Sequence, residues 1–330
     1  MSKLLKKISK KTFYKNYKTY INEIENISGK IIKINKNLSG GSDRIFYYIF
    51  GEKKNLVFLD YSYLPDEIDY FVKINKFLES IKINVPKIYF IKEKIIIMEY
   101  LGNITIYNKY KKIKDEKKII EIYKKIINEL IKMQIQGLKN INKISIVKNK
   151  IFNEKSFKWE WQYFKEMYLL FYKKLDKKKV KEIEKIYKEN IKKILRIKKV
   201  FMHRDFQSQN LHIKKNKIFF IDYQSAHFGP WSYDLASLLE DPYMNLSETI
   251  KEKLLRYYYQ KMIKLKFFKI DYNNFLEQYK VTAISRLSQA SGAYVKLGVI
   301  KKKIHFLKYL KYSIPNLKNK ISYYFASTFL

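Results

Sequence analysis

The stretch "HRDFQSQN", His203 to Asn210, sets a carboxylate and an amide five positions apart, and "IFFIDYQ", Ile218 to Gln224, adds a second carboxylate twelve residues after the amide. Groups of these types form a solvated turn, or they form a base and two metal ligands. Phosphoryl transfer asks for just such a set: one carboxylate to receive a hydroxyl proton, and an amide and a carboxylate to hold Mg²⁺ against phosphates. Asp205 is the candidate for the first role, Asn210 and Asp222 for the second. The Asn oxygen is hard and neutral, which suits an ion that keeps several of its waters.

The flanking sequence places all three on loops or strand ends, where functional groups usually sit. "KKVFM" ahead of His203 is apolar, and short strands around Leu211 and Ile218 flank "KKNK" as a hairpin. Further upstream, Leu5 to Glu25 reads as a helix with a basic face. Strand-like pieces follow: "KIIKI" from Lys30, "RIFYYIF" from Arg44, "NLVFLD" from Asn55, "VPKIYFI" and "KIIIMEYLG". Pro65 and Asp66 start a helix to about Ser80, with Ile68, Phe71, Val72 and Phe77 toward the core. The turn-rich "NLSGGSDR" joins the first two strands. After Gly102 the periodicity is helical, from Ile119 to Gln134 with Gly137 as a C-cap, through Phe157 to Tyr168, and through Val180 to Ile197. Trp159, Trp161 and Phe164 read as helix packing. The expected fold class is α+β, with a small antiparallel-sheet lobe over 1–102 and a larger helical lobe over 103–330.

Among 330 residues there is no Cys, which excludes disulfides, thiolate zinc sites and a cysteine nucleophile. The basic start "MSKLLKKISKK" lacks the apolar core of a secretion signal, and no stretch is long and apolar enough to span a bilayer. A cytoplasmic protein is expected. The net charge of +38 attracts polyanions, but the Lys residues are spread along the whole chain, and Ile, Asn, Tyr and Phe are abundant beside them. That is compositional drift rather than a nucleic-acid surface. Oligomeric state is left open.

"HRDFQSQN" matches the kinase catalytic-loop pattern, and Asp222 stands where kinases carry a metal-binding Asp. The following "DYQSAHFGPWSYDLASLL" lacks the activation segment of protein kinases. The chain resembles instead the aminoglycoside-phosphotransferase-like small-molecule kinases, from about Ile31 to Leu310. "GGSDRIFY", "IDYQSAHFGPWSYDLASLLEDPY" and "SRLSQASGAYVKLGVIKKKIHFLKYL" look most like the anomeric N-acetylmuramate/N-acetylglucosamine kinases of cell-wall recycling. The resemblance implies a protein-kinase-like bilobal fold and ATP- and Mg²⁺-dependent phosphorylation of a small sugar. It implies that Gly40, Gly41 and Ser42 cover the ATP phosphates and that the backbone of Glu99 and Leu101 reads adenine. His203 and Asp234 would brace the catalytic loop, while Gln207, Gln224 and Arg286 would reach the sugar.

One departure stands out. Kinases of this superfamily usually carry a third-strand Lys that pairs the phosphates, but "NLVFLDYS" has none, with Asp60 near its end. Arg44 could supply the charge from the neighbouring strand, with Glu67 or Asp66 as its helix partner. The open alternatives are another acceptor (an aminoglycoside, choline or other alcohol) and a non-catalytic nucleotide-binding module.

Overall fold

The computed structural model describes residues 5–37 and 44–322. The strands are β1 (Leu5–Lys7), β2 (Ile31–Asn37), β3 (Ile45–Gly51), β4 (Asn55–Asp60), β5 (Ile88–Lys92), β6 (Ile95–Glu99), β7 (Lys199–Met202), β8 (Leu211–Lys214), β9 (Lys217–Phe220) and β10 (His227–Pro230). The helices are α1 (Lys10–Tyr17), α2 (Ile21–Ser28), α3 (Glu67–Ser80), α4 (Ile106–Tyr110), α5 (Glu116–Lys139), α6 (Ser145–Lys148), α7 (Glu154–Phe164), α8 (Lys177–Leu195), α9 (Trp231–Leu239), α10 (Glu248–Lys264), α11 (Tyr272–Val295) and α12 (Leu310–Ser322).

Strands β1 to β6 form one antiparallel sheet in the order β1-β2-β3-β4-β6-β5. Alternation along β4 explains why it is apolar throughout. Leu56 and Phe58 point to one face, against Phe13 of α1 and Ile24 of α2, while Val57 and Leu59 point to the other, against Phe71 and Ile74 of α3. A central strand covered on both faces needs no polar side. The α+β class expected from the sequence holds, with the small antiparallel sheet followed by a larger helical part.

Helix starts are set by short polar side chains. Ser9, Thr105, Asp115, Asn153, Asp176, Ser247 and Asp271 each accept a backbone N–H three residues on, which satisfies a donor the helix itself cannot. Phe71 and Phe77 of α3 are buried as expected, and Ile68 and Val72 pack partly buried against the same core.

Three local expectations are corrected. The N-terminal segment is not one helix: β1 pairs with β2, and the helix is broken by a tight turn at Lys18–Tyr20. Pairing at the sheet edge outweighs the weak helical pattern there. Gly137 is not a C-cap; it lies inside α5, which ends on Asn140. A Cβ at Gly137 would stand 2.5 Å from the Cβ of Phe201, so the glycine is there for close helix–strand packing. Trp161 and Phe164 are buried, but Trp159 is half exposed and stacks on Tyr163 at 5.2 Å between ring centroids.

Two small sheets carry the loops of interest. β7 pairs antiparallel with β10, and β8 with β9. The chain therefore leaves β7 at His203, crosses to β8, returns along β9, passes Asp222 and runs back beside β7. Helix α9, buried along its whole length, follows at once.

Candidate active site

The loop between β7 and β8 is clamped by two buried carboxylates. Asp234, in the first turn of α9, accepts the backbone N–H of His203 at 2.7 Å and of Arg204 at 2.8 Å. Asp241, just beyond α9, accepts the N–H of Ser208 at 2.8 Å and of Tyr243 at 2.9 Å. Between the clamps Arg204 takes a left-handed backbone, φ 78°, uncommon for a residue with a side chain. Asp234 has no exposure, and burial pushes its carboxyl up to about 7, against the opposing pull of the two N–H donors. Burial likewise pushes Asp241 above the usual carboxylate range.

His203 is fully buried, and burial pulls its imidazole below the usual value. The neutral ring donates from Nε2 to the carbonyl of Ile221, 3.0 Å away, tying the loop to the residue before Asp222. From the other side, the N–H of Ile221 donates to the carbonyl of Asn210 at 3.1 Å. Asn210 and Asp222 are thereby brought together, and Asp222 too is left-handed, φ 63°. Asn210 donates from Nδ2 to the carbonyl of Asp205 at 2.9 Å, so Oδ1 is the amide atom available to a cation.

The oxygen-only pair of Asn210 and Asp222 fits Mg²⁺, which takes few protein ligands and keeps waters. Gln224 donates to Asp222 Oδ1 at 2.8 Å, while its own Oε1 is buried and has no donor among the described residues. A buried acceptor without a donor fits a site that takes the water shell of a hydrated cation.

Arg286, in the middle of α11 and buried, lies 3.7 Å from Asp205 Oδ1. It also donates to Ser237 Oγ at 2.9 Å, to Gln207 Oε1 at 3.4 Å, and to Gln289. Asp205, Gln207 and Arg286 are thus one group. Arg44, immediately before β3, reaches Asp222 Oδ1 at 3.2 Å and the hydroxyl of buried Tyr61 at 3.5 Å. The expected helix partner for Arg44 is replaced by an ion pair to Asp222. Asp60 faces away from this chemistry, accepting from Tyr17 and from the N–H and hydroxyl of Ser62.

Glu99 ends β6. Its N–H donates to Lys87 at 2.8 Å and its carboxylate receives Lys214 at 2.5 Å, so only its carbonyl could take part in reading a base. Leu101 and Gly102 follow, lining with Tyr89, Tyr100 and Lys214 a hollow of about 400 Å³. Gly40, Gly41 and Ser42 lie outside the described residues. Sequence reasoning missed Asp241, Glu160 and Tyr61. Asp241 lies within "IDYQSAHFGPWSYDLASLLEDPY", seven residues after Asp234, but nothing in that spacing marks it as a second clamp, and a Glu inside an aromatic helix carries no signal either.

Similarity to known proteins agrees with this arrangement. Residues 34–268, more than half of the chain, match the family model described as "Phosphotransferase enzyme family". A 63-residue stretch is 40% identical to the N-acetylmuramate/N-acetylglucosamine kinase of Neisseria meningitidis serogroup B, spanning 19% of this chain and 19% of that relative. The fold is similar to an ADP-bound aminoglycoside phosphotransferase (TM-score 0.60, 18% identity, covering 88% of this chain and 96% of that one). It is also similar to choline kinase from Cryptosporidium parvum (TM-score 0.66, 13% identity, 95% and 96% covered) and to ethanolamine kinase from Plasmodium vivax (TM-score 0.62, 16% identity, 94% and 91% covered). With clamped catalytic-type loop, fold and family model in agreement, the chain belongs to the phosphotransferase enzyme family.

Proposed function

We propose that this protein transfers the γ-phosphoryl group of ATP to the anomeric hydroxyl of N-acetylmuramate or N-acetylglucosamine, in the cytoplasm, in the recycling of cell-wall sugars. The acceptor rests on the 63-residue likeness to an N-acetylmuramate/N-acetylglucosamine kinase. The chemistry rests on the meeting of Asp205, Asn210 and Asp222 on two adjoining, braced loops.

In this reading Asp205 orients the acceptor hydroxyl and receives its proton. Arg286, at 3.7 Å, holds that carboxylate in place, and Gln207 beside it is within reach of the sugar. Asn210 and Asp222 would hold Mg²⁺, whose charge, when bound, offsets that of the phosphates. Gln224 orients Asp222 and Arg44 stands ready for the phosphates, supplying the charge that the absent third-strand Lys would carry. An Arg already poised beside Asp222 speaks against a non-catalytic module. Gly40, Gly41 and Ser42 would cover the phosphates, the Glu99 carbonyl and Leu101 N–H would read adenine, and the two lobes would divide near Gly102.

The test is a phosphorylation panel with ATP and Mg²⁺ over N-acetylmuramate, N-acetylglucosamine, their methyl glycosides, kanamycin and choline. The free sugars should yield an acid-labile 1-phosphate, and the methyl glycosides none. A phosphorylated methyl glycoside removes the anomeric assignment; choline or kanamycin as the best substrate removes the sugar.

A further inference from the structure

Residues 150–152 run beside β10. Phe228 donates its N–H to the Lys150 carbonyl at 3.0 Å, and Phe152 donates its N–H to the Phe228 carbonyl at 2.9 Å, with Ile151 bridged between. Lys150 and Phe152 flank the bridged Ile151, with Lys150 exposed and Phe152 buried. The buried Phe152 ring lies under the guanidinium of Arg204, at 5.5 Å. The ammonium of Lys150 lies over the ring of Tyr70, at 4.4 Å, and the Tyr70 hydroxyl donates to the Ala226 carbonyl at 2.6 Å. Two cations from different segments therefore lie near each other, close enough for the charge of Arg204 to act on Lys150, next to Asp205 in the chain and beside the segment that follows Asp222.

Their counter-charges are few. Among the described residues no carboxylate stands within ion-pair distance of Lys150, though the field of Glu67 on α3 reaches it. Arg204 has Glu160 at 3.9 Å, but that buried carboxylate is also held by the Tyr233 hydroxyl at 2.6 Å and the Ser285 hydroxyl at 2.9 Å. Partial loss of water beside the Tyr70 ring and then the charge of Arg204 pull the Lys150 ammonium below its usual value, although the residue as a whole is exposed. Two like charges near each other repel, and an anion placed between them turns that repulsion into attraction.

We propose that Lys150 and Arg204 form a cationic wall beside Asp205 that receives a carboxylate carried by the acceptor. The inference rests on the reading of Asp205 as the group that meets the acceptor hydroxyl. Arg204 offers the planar fork that suits a carboxylate and Lys150 a point charge beside it. A polycationic acceptor would meet this wall with its own sign and be turned away.

The experiment compares kcat/KM for N-acetylmuramate and its methyl ester in the native protein, Lys150→Ala and Lys150→Glu, with the KM for ATP measured alongside. Lys150 is exposed, so both variants should melt as the native protein does. The native protein should favour the acid over the ester by about tenfold, the size of one charge-assisted hydrogen bond. Lys150→Ala should lower the ratio, Lys150→Glu should lower it further, and the KM for ATP should move little. An acid-to-ester ratio unchanged across the three proteins overturns the inference while leaving the amino-sugar reading intact. A rise in the KM for ATP with the ratio unchanged assigns the wall to the nucleotide phosphates and overturns it as well. Should neither sugar turn over, the amino-sugar reading falls by itself. The acid and ester of whichever hydroxyl acceptor is used then decide the wall, and preference for a cationic alcohol overturns it.

Discussion

Replacing Asp234 with Ala separates bracing from chemistry. The Asp234 carboxylate accepts two buried backbone N–H groups, at 2.7 and 2.8 Å, and its removal leaves both without a partner. Each orphaned donor costs about 1–3 kcal/mol, so the variant should lose roughly 2–6 kcal/mol. At roughly 2 °C per kcal/mol for a chain of this size, its melting temperature should drop by about 4–12 °C. Activity should fall with it, because Arg204 and Asp205 then lose their fixed backbone. The pH dependence supplies a second measurement. With a folded-state pKa pushed up to about 7, above the unfolded value, Asp234 folds more favourably in its neutral form. Its contribution is fully present below the unfolded pKa and is lost as pH rises through about 7. Asp234→Asn does not titrate, so the stability of the native protein should decline between about pH 4 and 7 more steeply than that of the variant. Urea denaturation at several pH values, with phosphorylation assayed in parallel, measures both. A variant that loses turnover while its melting temperature stays unchanged would show Asp234 acting on substrate and refute the bracing argument.

Three further outcomes follow from the same geometry. Asp205→Asn should keep the melting temperature and nucleotide binding while lowering kcat by on the order of 10²–10⁴, and near-normal turnover would take Asp205 out of the mechanism. Asp222→Ala should weaken binding of Mg·ATP far more than of adenosine, measured by calorimetry; equal losses would make Asp222 structural. Gly137→Ala sets a methyl 2.5 Å from Phe201 Cβ and should cost about 1–3 kcal/mol by urea denaturation, with a neutral result placing more room between α5 and β7 than the structure has.

Local spacing was enough to single out Asp205, Asn210 and Asp222 as candidates, because a short loop and the tight hairpin after it keep these polar groups close to one another in the chain. Period-two and helical repeats also read out correctly for β2 to β6, α3 and α5, since each repeat reports which face a backbone of known geometry must bury. The start of the chain did not: β1 is held by β2, some thirty residues away, and no pattern within Leu5 to Glu25 announces that partner. Gly137 read as a helix end because its local signature is the same whether it caps a helix or admits Phe201. The charges around the site were the least legible. Arg44 meets Asp222 across 178 positions, Arg286 reaches Asp205 from α11, and Asp241 clamps Ser208 from beyond α9. Lys150 and Arg204 come near each other only because 150–152 aligns with β10. Sequence spacing determines how a strand or helix presents its own side chains; which side chains from distant elements then meet is decided by how those elements pack.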